Sequence, residues 1–208
     1  MVKRLVIVLS ILVGLVSICI SGCETQEQEV KKLIKALQHK NSQVRRAAAG
    51  KLGEIGEDAK DAVPALIQTL QDPKEIGRGT TAKALGAMGE NAKDAIPVLI
   101  QLLRDEVANV RSHAAEALAK IGIGAVPSLV QLLQDKVTHV RASAIWTLAK
   151  IGKDAVPALI QTLQNQDISV RSNAANVLGQ IGEDAVDAVP ALTLALQDLD
   201  PEVRQYAA

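Results

Sequence analysis

The 208-residue sequence has no phenylalanine, one tryptophan (Trp146) and one tyrosine (Tyr206). A core without aromatics has to be filled by alanine, leucine, isoleucine and valine, small side chains that let helices approach closely. Cysteine is scarce: Cys19 and Cys23 are the only two, both near the N-terminus, which excludes a disulfide framework. No charge of one sign dominates, with 23 basic and 23 acidic side chains. That balance excludes a polybasic patch and argues against a nucleic-acid partner. The three histidines, His39, His113 and His139, stand without a His-Glu-x-x-His motif, a cysteine pair or a carboxylate cluster, so no metal or other cofactor is expected. A Gly-x-Ser-x-Gly elbow and a glycine-rich phosphate loop are also missing, and no catalytic residues are assigned.

What the chain does have is one phrase, repeated. Ala-Val/Ile-Pro opens an apolar pattern, and Val-Arg-x-x-Ala-Ala-x-x-Leu-Gly/Ala-x-Ile-Gly follows. Its prolines are Pro64, Pro97, Pro127, Pro157 and Pro190; its arginines are Arg45, Arg78, Arg111, Arg141, Arg171 and Arg204, spaced 33, 33, 30, 30 and 33. Self-similarity at this period means a stacked repeat array. In the first half of each unit, Val63, Leu66, Ile67 and Leu70 fall at i, i+3, i+4 and i+7, one stripe of a helix A. Pro64 sits in its first turn, where a missing N–H costs nothing. In the second half, Val44, Ala48, Leu52 and Ile55 form the stripe of a helix B running over about 44–55. Gly56, Gly89, Gly122, Gly152 and Gly182 follow the B helices and predict a left-handed stop. The 33-residue copies carry three extra residues in the loop after this glycine. The second copy departs from the phrase: Gly77 and Gly79 stand near its helix start and predict local loosening. The sequence runs to Ala208, part-way into a sixth helix B, where such arrays carry a polar cap; the expectation is either a fragment of a longer array or an unusually bare end.

The repeated phrase resembles the HEAT repeat, and more closely the short-repeat branch related to phycobilisome lyases. The resemblance covers about residues 28–208. It implies an all-α, right-handed α-solenoid of about five hairpins plus a partial sixth, and it leaves function open. An acid stands six residues before four of the six arginines, at Asp72, Asp105, Asp135 and Asp198, with His39 and Asn165 in two other copies. In HEAT repeats this implies an Asp–Arg pair within each repeat, tying the A–B turn to helix B. The iron-binding deoxyhypusine hydroxylases, also of HEAT type, use His-Glu dipeptides, which this chain lacks; His113 and Glu116 at i, i+3 offer two ligands at most.

The N-terminus is a separate object. Lys3 and Arg4 precede an uncharged apolar run, Leu5 to Ile20, short for a membrane span, and Ile20-Ser21-Gly22-Cys23 follows. This resembles a bacterial lipoprotein signal, which implies removal of residues 1–22 and lipidation of Cys23. Residues 23–28 would then be the anchor and short tether, and 29–208 the array. The implied location is the bacterial cell envelope, on a membrane, facing the periplasm or exterior.

The variable columns of the B helices supply the candidate site. One reads Gly50, Lys83, Glu116, Trp146, Asn176; the other Ala47, Thr80, His113, Ser143, Asn173, Tyr206. Since B helices line the concave face of HEAT-like solenoids, His113, Glu116, Ser143, Trp146, Asn173 and Asn176 are expected on one patch, with Trp146 as its anchor. The expected function is a non-enzymatic scaffold that binds a protein or peptide there. The alternatives are a lyase-like or chromophore-handling protein, implied by the resemblance, and a structural spacer.

Overall fold

The computed structural model describes residues 25–72 and 75–208. Cys23 and the signal-like segment 1–22 lie outside the described residues. Twelve α-helices and no strand occur among those that are described, so the expected all-α solenoid of stacked hairpins is the fold. The A helices are α1 (Gln26–Ala36), α3 (Val63–Thr69), α5 (Ile96–Leu102), α7 (Val126–Gln131), α9 (Val156–Thr162) and α11 (Val189–Ala195). The B helices are α2 (Ser42–Ile55), α4 (Glu75–Ala87), α6 (Ala108–Ile121), α8 (Thr138–Ile151), α10 (Ile168–Ile181) and α12 (Pro201–Ala207).

Local chemistry sets the ends of these helices. Thr25 and Gln28 form a reciprocal capping box, so residues 26–28, expected as tether, are the first turn of α1. Asn41, Asp167 and Asp200 cap α2, α10 and α12 by accepting backbone N–H bonds. The glycines after the B helices have positive φ as expected, but Gly56, Gly122, Gly152 and Gly182 do not adopt the left-handed helical conformation. Gly56 has φ 71° and ψ −133°, and Gly122 has φ 82° and ψ −140°. This mirror image of extended backbone is open to glycine and strained for other residues. It throws the chain straight into a 3-10 segment that leads to the next helix A. That segment has seven residues after α2, α4 and α10 (Gly56–Ala62, Gly89–Ala95, Gly182–Ala188) and four after α6 and α8 (Gly122–Ala125, Gly152–Ala155). The stretch 108–134 is long and apolar enough to cross a membrane by composition. Gly122 divides it, however, and Val110, Leu118, Val126 and Leu129 are buried in the core.

The core is one continuous aliphatic ribbon. Leu66, Leu99, Leu129 and Leu159 of the A helices are wholly buried, as are Leu52, Leu85, Leu118 and Leu148 of the B helices. Each such leucine contributes about 1.5–3 kcal/mol. Each described hairpin covers the one before it: Val156 is 2% exposed under the next hairpin, whereas Val189, in the last described hairpin, is 54% exposed.

Consecutive B helices touch at one column. A Cβ on Gly53 would lie 3.0 Å from Ala84 Cα, and one on Gly86 would lie 2.8 Å from Ala117 Cα. Glycine against alanine lets α2, α4 and α6 pack backbone to backbone. The corresponding pairs further along are Ala119 with Thr147 and Ala149 with Val177, which are bulkier.

The arginine ladder differs from expectation. Each arginine does tie the A–B turn to its own helix B, but through a main-chain carbonyl six residues earlier. The six acceptors are His39, Asp72, Asp105, Asp135, Asn165 and Asp198, at 2.7–3.0 Å. A carbonyl acceptor explains why His39 and Asn165 are tolerated there. The aspartate side chain serves the preceding repeat instead. Arg45 binds Asp72, Arg78 binds Asp105 and Arg171 binds Asp198, the last two as two-pronged pairs of 2.8 and 3.0 Å. All three pairs span a seven-residue link. Across the four-residue link after α6, Asp135 is instead held by Arg104 from the end of helix A.

The glycine column gives paired predictions of opposite sign. Gly86→Ala should lower stability by about 1–3 kcal/mol, since its new methyl meets backbone that cannot rotate away. Gly179→Ala, in the same column with nothing within 4 Å, should raise stability by about 0.5–1 kcal/mol. Urea denaturation of both variants checks this; shifts of the same sign would contradict the packing described.

Candidate functional site

Where the link is short, the B helices stand apart. Clefts between consecutive B helices lie at both four-residue links. The larger, about 480 Å³, lies between α6 and α8. From α6 it takes Ala108, Arg111, Ser112, Ala115 and Glu116; from α8, His139, Ala142, Ser143 and Trp146. These positions follow i, i+3, i+4, i+7 on each helix, so one face of each forms a wall. Ala115 is buried and forms part of the floor, while Trp146, 40% exposed, stands at one side. Lys150 Nζ lies 5.7 Å from the tryptophan ring centroid, at i+4, within reach of a cation–π contact. The second cleft, about 320 Å³, lies at the A–B turn end between α8 and α10 and is lined mostly by polar groups, including Arg141, Asp167 and Asn173.

The six residues expected on one patch are divided. Glu116, Ser143 and Trp146 share the α6–α8 groove. Ser143 donates to the His139 carbonyl at 2.9 Å one turn earlier. Asn173 lines the second cleft, and its amide donates to the Leu133 carbonyl at 2.9 Å, bracing α10 against the preceding hairpin. Asn176 is half-buried and accepts from Gln180 at 2.9 Å. His113 faces the other way, toward α4: its Nδ1 is buried without a hydrogen bond and lies where a Cβ on Gly79 would sit, at 2.8 Å. His113 and Glu116 therefore face opposite neighbours and do not converge.

The glycines of the second repeat also have neighbours that their sequence did not show. Helix α4 runs unbroken through Gly77 and Gly79. Gly79 makes room for the His113 ring, and a Cβ on Gly77 would lie 3.1 Å from Asp72 Cγ. Both glycines are clearances for a neighbouring side chain.

Sequence comparison between repeats missed Arg111, Ser112, Ala115, His139 and Ala142. Arg111 and Ala115 belong to the invariant phrase, so their column signalled structure. The usable signal was the 30-residue interval, which marks where the stack opens. Charge in the groove is mixed, with Arg111 near its turn end and Glu116 further along. At the turn before α8, the Arg104 guanidinium and the Val137 N–H hold the Asp135 carboxyl below the usual range.

Comparison with known proteins places this architecture. The HEAT-repeat family matches residues 30–119, 96–160 and 126–208. An engineered protein solved by the Northeast Structural Genomics Consortium is 28% identical, covers 86% of this chain and 93% of its own, and superposes with a TM-score of 0.50. The complex of CpcE and CpcF of phycocyanin lyase from Nostoc sp. PCC7120 is 27% identical, with 89% and 76% coverage and a TM-score of 0.51. A structure of microtubule plus-end tracking by XMAP215, CLIP-170 and EB1 contains a chain with a TM-score of 0.59 at 20% identity, with 85% and 87% coverage, a likeness of fold alone. No curated protein sequence matches the chain.

The Gly79–His113 contact predicts non-additivity. Gly79→Ala alone should fail to stabilise α4, despite the usual gain of about 1 kcal/mol for alanine over glycine. In a His113→Ala background the same change should stabilise. A double-mutant cycle by thermal or urea denaturation measures the coupling; additive effects would place the histidine ring elsewhere.

Proposed function

Because this chain belongs to the HEAT-repeat family, we propose that it is a non-enzymatic scaffold whose α6–α8 groove holds a segment of a partner protein. The observation that carries this reading is Trp146, the only tryptophan, 40% exposed on the wall of a groove with alanines at its base and rim. A rigid aromatic with apolar surface beside it is the usual anchor of an interface. In the groove α6 and α8 offer this apolar surface between two consecutive helices. Fold supports partner binding in general, and the CpcE–CpcF structure is itself an assembly of two chains.

The second element of the proposal is membrane tethering. Cys23 would carry the lipid after removal of residues 1–22, and α1, beginning at Gln26, would start within three residues of the anchor. The array would then lie close to a bacterial membrane on its periplasmic or outer side. Chromophore handling remains the second reading, favoured by the 27% identity to the CpcE–CpcF structure. Visible absorbance co-purifying with the protein would support it.

The test is a pull-down from detergent-solubilised membranes with wild type, Trp146→Ala and Cys23→Ser. The scaffold reading expects a partner captured by wild type and lost with Trp146→Ala at unchanged helical circular dichroism. It also expects Cys23→Ser to leave the membrane fraction. A partner captured equally by Trp146→Ala would place binding outside the groove, no captured partner would favour a spacer role, and membrane retention of Cys23→Ser would remove the lipid anchor.

A further inference from the structure

In this array the arginine of helix B is a fork with a defined ligand. Arg78 uses Nη1 for its own turn carbonyl and presents Nε and Nη2 to a carboxylate of the next repeat, at 2.8 and 3.0 Å. Arg171 does the same with Asp198. Arg45 places Nε on Asp72 at 2.7 Å. In each case the ligand is an aspartate side chain, and for Arg78 and Arg171 the geometry is the planar, two-pronged pairing that guanidinium favours.

Arg111 is held identically by Nη1, which donates to the carbonyls of Asp105 at 2.7 Å and Glu106 at 3.0 Å. Its expected carboxylate, Asp135, is occupied by Arg104. Among the described residues Nε and Nη2 of Arg111 have no hydrogen-bond partner, and the side chain lines the α6–α8 groove. The ring of Trp146 and the methyl groups of Ala115 and Ala142 bound the same space.

We propose that Arg111 is the specificity-determining residue of this groove and that its open fork takes an aspartate or glutamate side chain of the partner segment. This rests on the groove being the binding site. The carboxylate binds at the turn end, and a large apolar residue next to it in the partner lies against Trp146. Glu116, five residues along α6 and so about 7–8 Å further up the groove, repels a second acid there and fixes the direction of the segment. Arg141 is a weaker candidate, because its cleft already holds Asp135, Asp167 and Glu202.

The test selects displayed random short peptides on the full-length protein, then measures synthetic copies through the emission of Trp146. The expected result is enrichment of an acid beside a large apolar residue. Changing that acid to its amide should weaken binding to wild type about tenfold or more, and much less to Arg111→Gln. Arg111 also braces its own turn, so Arg111→Gln removes that brace as well; the acid-to-amide comparison on wild-type protein decides without it. Peptides that shift Trp146 emission equally well as acid and amide would overturn the role of Arg111 and leave the groove standing. Peptides that bind without moving Trp146 emission and are indifferent to Trp146→Ala would overturn the groove itself.

Discussion

How far apart two consecutive B helices stand depends on the segment that joins one repeat to the next. With seven residues between helix B and the following helix A, the neighbouring B helices at α2, α4 and α6 meet backbone to backbone through glycine and alanine. The missing three residues amount to one 3-10 turn, about 6 Å of chain. Their loss moves helix A and its A–B turn relative to the helix B before it. Bulkier contact residues, Thr147 and Val177 in place of Ala84 and Ala117, accompany the shorter link and fill the altered interface. A solenoid assembled from nearest-neighbour contacts can open at one joint and keep the rest of its stack intact.

The arginine ladder responds to the same change. Its first function, bracing the turn through a carbonyl, is local and survives at every repeat. Its second function, reaching the next repeat's aspartate, is carried out across the long links, whereas Asp135 goes to Arg104 and the repeat after Arg141 has Asn165 in that place. At the α6–α8 joint these effects coincide: the helices part, the aspartate is taken by Arg104, and Arg111 and Trp146 are left on one groove. Structural parts of the repeat thereby become surface without any change to the repeat's own residues.

The architecture was legible because aliphatic periodicity, helix-start prolines and the glycine stops each act within a single repeat. Leu66, Leu99, Leu129 and Leu159 fall in the core as their spacing requires. What eluded the sequence was relational. Aligning columns identifies Trp146 as unlike its equivalents, but not which neighbour it faces. His113, Ser143 and Asn173 share a column that points to the preceding repeat, yet meet different surroundings there: the Gly79 clearance for His113, an open groove for Ser143 and a backbone carbonyl for Asn173. Aspartate and arginine six apart likewise suggested a pair within a repeat, because sequence distance conceals that a stacked turn brings the next repeat's acid closer.

The direct test of this account replaces Gly122–Ala125 with the seven-residue sequence of Gly89–Ala95 and determines the crystal structure beside that of the wild type. If link length governs the joint, α6 and α8 draw together, the groove shrinks, and Arg111 places Nε and Nη2 on Asp135 as Arg78 does on Asp105. An unchanged groove, with Arg104 still on Asp135, would mean that side-chain bulk at Thr147 sets the spacing and that the link only follows it.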